Sequence, residues 1–409
     1  MKKLLFIISC TILAWTIVEG GCSLLLWSAK YYKQLYFSPL AENVLPLRQA
    51  ENVRDLIEER TQYIIHDPLL GWRIKPNGVS ALYQANAQGM RGDREYAPTD
   101  KEHRLRIASF GDSFTHGDEV PNSSTWQAQL EELDLSCEVL NFGVGGYGPD
   151  QSYMRYISEG KLFHPRIVLI GFMAENIRRS VNVFRPFYAP ETGLVFSKPR
   201  YLREGESLLL SPNPLSSVEA YKRLLNDKGP VFEELGTRDW YYQHRYRRSV
   251  LDYLPSVRLV KILWYELLVA QEFSYKYESE AVRLSLKILT QFADDVEREG
   301  SMPIVVLFTN KSDLEELRAG RRPEYTPFKA ALMARHMKVI DLAGAFECDG
   351  LGAEIKSYFE SGGHYSASAN KLVARYLREH VHAYLNGHKD QQPGDKRRCG
   401  IEPGLQKIE

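Results

Sequence analysis

One serine in this chain has surroundings that could make its hydroxyl a nucleophile. Ser113 follows Gly111 and Asp112 after an apolar run, residues 105–110, which is too short for a helix and predicts a buried β-strand. Gly111 breaks this strand, and residues 124–127 (Ser-Thr-Trp-Gln) fit the capping box that begins a helix. We therefore expect Ser113 at the carboxyl end of a strand, the edge where open α/β sheets bind their ligands.

Three later segments give this Gly-Asp-Ser sequence a functional interpretation, although by itself it is common in surface turns. They are residues 141–146 (Asn-Phe-Gly-Val-Gly-Gly), 171–176 (Gly-Phe-Met-Ala-Glu-Asn) and 363–370 (Gly-His-Tyr-Ser-Ala-Ser-Ala-Asn). In this order, the four segments resemble the four blocks of the SGNH (GDSL-type) hydrolase and acyltransferase superfamily, including its membrane-anchored members linked to envelope polysaccharides. The α/β-hydrolase motif Gly-x-Ser-x-Gly fits less well, because Thr115 stands where its second glycine should be.

The resemblance implies a role for one residue in each of the first three blocks. Ser113 would be the nucleophile, and its N–H, the N–H of Gly146 and the side-chain amide of Asn176 would form an oxyanion hole. The residue types suit these roles, because glycine has no Cβ to obstruct the backbone and asparagine offers two uncharged N–H donors. Asp112 is expected to hold the turn rather than to act on the substrate.

The fourth block contains the candidate base, His364, because an imidazole titrates near neutral pH and can return its proton to a leaving group. The superfamily pattern here is Asp-x-x-His, whereas this chain has Ser361-Gly-Gly-His364. The acid that would orient the imidazole is therefore open. Glu360, Asp341 and Asp349 are candidates, and so is a Ser–His pair oriented by a backbone carbonyl.

The remaining sequence predicts an α/β fold. Strand and helix patterns alternate, which favours a parallel sheet between helices. The resemblance, over about residues 104–180 and 300–385, implies a three-layer α/β/α sandwich with a flavodoxin-like sheet. We expect this domain at residues 104–386, with an insertion at about 182–277 that lies over the site and a flexible tail at 387–409.

The N-terminus predicts export. Two lysines precede an uncharged apolar run, residues 4–18, and the run reaches the length of a membrane span if Glu19 is tolerated. Residues 1–30 are therefore a membrane anchor or a signal sequence. An uncleaved anchor fits better, because no convincing cleavage site is present and Trp27 is suited to a membrane interface. The expected location is the inner membrane, as a single-pass protein with its catalytic domain on the periplasmic side.

Residues 31–103 are expected to form a stalk and an extension. Residues 28–66 contain amphipathic helical material that predicts the stalk. The segments 67–77 and 86–92 are rich in turn residues and predict a strand or loop extension packed on the core.

The insertion contains one segment, residues 239–248, that is both aromatic and basic. Such a segment suits stacking on sugar rings beside anionic groups. The alternative is a solvated helix face with buried tyrosines.

Composition excludes several classes of protein and ligand. Lys plus Arg and Asp plus Glu number 52 each, so no overall charge attracts nucleic acid. The five cysteines lack the spacings of a zinc site, and Cys137 and Cys348 are either a disulfide or buried thiols. No metal or nucleotide motif is present, and we expect no cofactor.

These observations predict an exported, membrane-tethered serine esterase or acyl hydrolase that forms an acyl-enzyme at Ser113. The acyl-ester substrate could be an O-acylated cell-surface glycan. Three alternatives stay open: an O-acyltransferase to an envelope polysaccharide, a lipid acyl hydrolase, and a non-catalytic glycan-binding or assembly factor on the same scaffold.

Overall fold

The computed structural model describes residues 1–33, 44–99, 104–226, 228–351 and 354–387. The tail predicted at 387–409 lies outside these ranges, apart from Gly387. The strands are β1 (Ile64–Asp67), β2 (Gly71–Ile74), β3 (Leu105–Phe110), β4 (Cys137–Asn141), β5 (Ile167–Met173), β6 (Arg200–Glu204), β7 (Ser207–Ser211), β8 (Met302–Phe308) and β9 (Val339–Asp341). The α-helices are α1 (Lys2–Lys33), α2 (Leu47–Ile57), α3 (Ser113–His116), α4 (Trp126–Leu133), α5 (Pro149–Ser158), α6 (Asn176–Ser180), α7 (Arg185–Tyr188), α8 (Lys222–Asn226), α9 (Lys228–Gly236), α10 (Pro255–Glu272), α11 (Glu280–Arg298), α12 (Lys311–Arg318), α13 (Thr326–Met333), α14 (Ala343–Cys348) and α15 (Ala367–Leu385).

A parallel sheet with strand order β4-β3-β5-β8-β9 forms the centre of the described structure. Its strands are apolar along nearly their whole length because both faces are covered, and all seven residues of β5 are buried. Alternate residues enter different cores: Ala108 and Phe110 pack in one, and Ile107 packs in the other. The predicted three-layer, flavodoxin-like α/β sandwich is confirmed.

The strand order places the candidate nucleophile at a topological switch point. β3 lies between β4 and β5, and the chain leaves its carboxyl end directly into the turn that carries Ser113. Ligands of open α/β sheets bind at such points.

One detail of the prediction is wrong: Thr125, not Ser124, is the N-cap of α4, and its hydroxyl accepts from Ala128 N at 3.3 Å.

Residues 44–99, which were predicted to belong to the stalk and extension, include side chains packed on the domain. Val53 on α2 and Trp72 and Ile74 on β2 belong to the same core as β3. Trp72 Nε1 donates to Gly145 O at 3.0 Å, and Tyr147 Oη donates to Trp72 O at 2.6 Å. The extension is thus joined to the segment that contains Gly146.

The aromatic side chains of the segment 239–248 are buried, which favours the alternative of buried tyrosines over stacking on sugars. Trp240, Tyr241, Tyr242 and Tyr246 are each 2–6% exposed. The carboxylate of Asp239, also buried, accepts hydrogen bonds from the N–H groups of residues 183, 184 and 242 at 2.6, 3.1 and 3.0 Å. The segment is a structural support for residues 182–188.

The cysteines do not form the bond considered between Cys137 and Cys348. Cys137 is a free, buried thiol, and burial raises its pKa to about 12. Cys348 is disulfide-bonded, so Cys137 is not its partner.

One helix of the described residues could cross a membrane. The apolar part of α1, Lys2–Ser28, has a mean hydropathy of 1.8 and is not buried against the rest of the protein. Length and composition alone do not distinguish an anchor from a signal sequence.

Two glycines after β4 give a matched test of the close packing beneath the Ser113 turn. A Cβ at Gly143 would lie 2.3 Å from His116 N, a backbone atom that cannot move without the turn, whereas a Cβ at Gly145 would meet only Asp118 Oδ2 at 3.5 Å. We predict that Gly143→Ala lowers the free energy of unfolding by about 1–3 kcal/mol because of overpacking. Urea denaturation of the detergent-solubilised chain measures this, with Gly145→Ala as the control. Equal effects of the two substitutions would contradict it.

Candidate active site

Ser113 is the first residue of α3, in a sharp turn that follows β3. Asp112 is the N-cap, and its Oδ1 accepts from Phe114 N at 3.0 Å. Gly117 ends the turn in the left-handed region, with φ of 80°. The N–H of Ser113 has no acceptor within the helix, because it lies at the helix N-terminus. Ser113 is 8% exposed, and none of the described residues forms a hydrogen bond with its Oγ.

The second carboxylate oxygen of Asp112 holds the loop after β5. Asp112 Oδ2 accepts from Asn176 Nδ2 and from Arg179 Nη1, each at 2.9 Å. Asn176 Oδ1 accepts in turn from Met173 N at 2.7 Å, which fixes the orientation of the amide. One amide N–H of Asn176 is thus occupied by Asp112, and the other has no acceptor in the described part of the chain.

Gly146 presents its backbone N–H where no side chain could fit. Its φ of +81° favours glycine, and a Cβ there would lie 2.6 Å from Leu194 Cδ1. No described residue accepts a hydrogen bond from its N–H. Arg179 Nη1, besides its bond to Asp112, donates to Tyr147 O at 2.9 Å and so links the glycine loop to the Ser113 turn.

His364 lies against the Ser113 turn and is oriented by a residue that the sequence did not indicate. Its ring centroid is 5.2 Å from that of Phe114, which follows Ser113. Glu119 Oε2 is 2.8 Å from His364 Nδ1 and accepts from His364 N at 3.0 Å, and Oε1 accepts from Gly362 N at 2.6 Å. A carboxylate on Nδ1 favours the tautomer with the proton on that nitrogen, which leaves the Nε2 lone pair free to act as a base.

The carboxylates predicted to orient His364 are engaged elsewhere or point to solvent. Asp341 accepts from Tyr325 Oη at 2.8 Å and from Lys329 Nζ at 2.7 Å. Glu360 is exposed, and only its backbone pairs with His364, through Glu360 N and His364 O at 2.8 Å. In the structure Glu119, and neither Glu360 nor Asp341, is the carboxylate that contacts His364 Nδ1.

Glu119 belongs to the same turn as the nucleophile. Asp118 N donates to Ser113 O at 3.0 Å, so the chain positions the candidate nucleophile and the carboxylate within one short segment. Burial raises the pKa of Glu119, but hydrogen bonds from His364 and Gly362 outweigh it and hold that pKa below its ordinary value. The carboxylate is therefore ionised at neutral pH.

A second histidine near the site cannot serve as the base. His116 Nδ1 pairs with Asp118, and Nε2 is 2.7 Å from Tyr63 Oη, so both ring nitrogens are occupied. Burial lowers the pKa of His116 despite the nearby Asp118 carboxylate. Among the described residues, His364 is thus the histidine beside the Ser113 turn with a free ring nitrogen.

A metal-dependent alternative has no ligand set in the described residues. No group of three or more His, Cys, Asp or Glu side chains is arranged there to hold an ion.

Comparisons with known proteins find similar solved structures, all at low sequence identity. No family model and no curated protein matches the chain. A G-D-S-L family lipolytic protein from Veillonella parvula DSM 2008 is 14% identical, with 69% of this chain and 98% of that one covered and a TM-score of 0.32. The lipase/acylhydrolase from Enterococcus faecalis is 14% identical (67% and 96% covered, TM-score 0.33). A variant of an acetyl-xylooligosaccharide esterase from Geobacillus stearmophilus is 12% identical (75% and 100% covered, TM-score 0.35).

The chain is similar to GDSL-type hydrolases. At such low identity, what this chain can do chemically depends on its own side chains.

The lowered pKa of Glu119 gives a pH-dependent prediction. Because the folded pKa lies below the unfolded value, about 4.3, the stabilisation by Glu119 is fully present above that value and is lost as pH falls through the folded pKa. Glu119→Gln should lower the unfolding temperature at pH 5 and above, and this difference should shrink below about pH 4. Thermal unfolding of the purified full chain measures it. Glu360→Gln is the control and should show no difference; a constant Glu119→Gln effect across this range would contradict the assignment.

Proposed function

We propose that this protein is a serine esterase that forms an acyl-enzyme at Ser113, with His364 as general base and Glu119 as the acid that orients it. The observation that carries the proposal is the hydrogen bond of 2.8 Å between Glu119 Oε2 and His364 Nδ1, beside the Ser113 turn. A half-buried, ionised carboxylate on Nδ1 orients the ring and stabilises the imidazolium that forms when Nε2 takes a proton.

Each step of acyl transfer has a residue to perform it. His364 Nε2 takes the proton of Ser113 Oγ as the oxygen attacks the ester carbonyl. The N–H groups of Ser113 and Gly146 and the free amide N–H of Asn176 stabilise the oxyanion of the tetrahedral intermediate. The imidazolium then protonates the alkoxide that leaves. Water, activated by the same nitrogen, attacks the acyl-enzyme and releases the acid and Ser113.

The proposed location and substrate class rest on α1. An apolar N-terminal helix preceded by lysines supports a tether in the inner membrane with the catalytic domain on the periplasmic side. Ester groups on cell-surface glycans are accessible there, and we infer that such O-acyl groups are the substrate. Transfer of the acyl group to a glycan hydroxyl would use the same acyl-enzyme, with the sugar in place of water.

The non-catalytic alternative has lost its main support. It depended on the missing acid of the Asp-x-x-His pattern, and Glu119 provides a carboxylate at the corresponding ring nitrogen. A protein that only binds glycans has no need for a histidine with one oriented and one free ring nitrogen.

The activity test uses the full chain and a short-chain aryl acetate. Ser113→Ala and His364→Ala should each lower kcat/KM by at least ~100-fold, and Glu119→Gln should lower kcat by about 100-fold, because these three groups act as one unit. Glu360→Gln, the matched control, should retain activity. A serine-directed phosphonate should label the wild type but not Ser113→Ala. Absence of both turnover and labelling in the wild type would overturn the proposal in favour of a binding protein.

A further inference from the structure

Arg185, on α7, is a buried guanidinium that forms no ion pair with a described residue, and the Glu175 and Glu191 carboxylates act on it only from a distance. The residue is 7% exposed, and its Nε and Nη1 atoms are buried without a hydrogen-bond partner. Its Cζ lies 4.7 Å from the ring centroid of Tyr188, which is a contact with an aromatic face and not with an anion. No ion pair of Arg185 with an acidic side chain is present among the described residues.

This guanidinium lies beside the candidate oxyanion hole. Its Cζ is 3.9 Å from the position that a Cβ of Gly146 would take, so the space next to the Gly146 backbone is occupied by a positive charge. The nearby Asp112 carboxylate forms an ion pair with Arg179, at 2.9 Å. It therefore does not balance the charge of Arg185.

Leaving a buried charge unpaired is unfavourable. Burial, together with the positive charge of Arg179, lowers the pKa of Arg185 to about 9, so the group is still charged at neutral pH. A chain that needed only a space-filling residue here would be more stable with an apolar one. The free-energy cost of burying an unpaired guanidinium suggests that a ligand supplies the anion that pairs with Arg185.

We propose that Arg185 binds an anionic group of the substrate, a carboxylate or a phosphate, next to the ester that Ser113 attacks. A guanidinium donates two parallel hydrogen bonds to such a group, and burial makes the pair stronger than it would be in water. This inference rests on the proposed esterase function and narrows its substrate to acylated glycans that carry acidic sugars or phosphate.

The kinetic test compares an O-acetylated methyl glucuronide with the matching O-acetylated methyl glucoside. The wild type should prefer the anionic ester by at least about 10-fold in kcat/KM, mainly through KM. Arg185→Gln should abolish this preference by lowering kcat/KM for the anionic ester selectively, and Arg185→Lys should retain part of it. An equal loss of kcat for both esters would instead place Arg185 on the oxyanion of the transition state and overturn the proposal.

A binding measurement separates this inference from the esterase proposal. Calorimetric titration of the Ser113→Ala chain with methyl glucuronide, inorganic phosphate and methyl glucoside needs no turnover. The two anions should bind, with affinity lost in Ser113→Ala/Arg185→Gln, and the neutral sugar should bind more weakly. Arg185→Met should keep or raise the unfolding temperature, because it removes an unpaired charge. No anion binding, or strong destabilisation by Arg185→Met, would show that Arg185 is structural.

An independent observation concerns α10, whose outer face is apolar. The side chains of Val260, Leu263, Trp264 and Leu267 are 58–64% exposed and recur at the spacing of one helix face. The 3₁₀ turn immediately before this helix, Val250–Tyr253, also exposes Val250, Leu251 and Tyr253, at 61–86%. A soluble surface rarely carries so many large apolar side chains together.

α10 is in contact with the apolar helix α1. Glu19 on α1 accepts from Ser256 N at 3.0 Å and from Ser256 Oγ at 2.6 Å, at the first turn of α10. A carboxylate at a helix N-terminus is stabilised by the helix dipole, which explains how a charge is tolerated in α1. Beyond Glu19, α1 exposes Leu24, Leu25 and Trp27, so the two helices together form one apolar surface.

We infer that α10 and the preceding 3₁₀ turn lie in the interfacial region of the bilayer that α1 enters. The occupant is lipid, because the surface continues a helix that is long and apolar enough to span a membrane. Arg247 and Arg248, which come shortly before the 3₁₀ turn, are exposed, and their charges suit anionic headgroups. The candidate active site would then face substrates close to the membrane.

The test places a fluorophore on α10 in the full chain. Trp264→Cys and, as a control on another exposed surface, Leu135→Cys are labelled with an environment-sensitive dye and reconstituted in vesicles of phosphatidylcholine and phosphatidylglycerol. The unsubstituted chain gives the background from Cys10 and Cys22. Lipids with nitroxide-labelled acyl chains should quench the dye at position 264 several-fold more than at 135. Equal quenching at the two positions would overturn the inference.

Discussion

The site depends on the buried carboxylate of Asp112. One oxygen caps the turn that presents Ser113, and the other joins the amide of Asn176 to the guanidinium of Arg179. Arg179 extends the connection to Tyr147 O in the glycine loop. Three loops, which follow β3, β4 and β5, are thus held together by one carboxylate. Each of the three candidate oxyanion donors belongs to one of these loops, and hydrogen bonds to a buried charge fix their spacing more firmly than apolar packing alone.

The sequence predicted those elements whose signals are local. β3 has the predicted bounds, residues 105–110, because an apolar run that ends in a turn is specified by neighbouring residues. The candidate nucleophile, base and oxyanion donors came from the resemblance of four short segments to the superfamily blocks, and their roles stay predictions. Sheet order followed from the alternation of strands and helices and from the resemblance.

Tertiary contacts were not predictable in the same way. Glu119 is six residues beyond Ser113, yet its role depends on a loop 245 residues away in sequence, which no local pattern encodes. The search for an acid near His364 in sequence therefore found Glu360, whose side chain points to solvent. An orienting acid must lie against Nδ1 in space, and a residue from either side of the site can do so. Gly362 leaves room for this contact, because a Cβ there would lie 2.6 Å from the Glu119 carboxylate.

The aromatic and basic segment shows why residue types alone misled the functional interpretation. Its aromatic rings face inward, where Tyr242 and Tyr246 pack on Phe187 at 5.1 and 5.4 Å. Its carboxylate, Asp239, accepts hydrogen bonds from the backbone of residues 183 and 184. These contacts hold the segment that carries Arg185 rigidly in place. A guanidinium needs such support if it is to remain charged, buried and without a partner until a ligand binds. Residues that appeared suited to touch a sugar pack instead behind α7 and support Arg185, the guanidinium proposed to bind an anionic substrate.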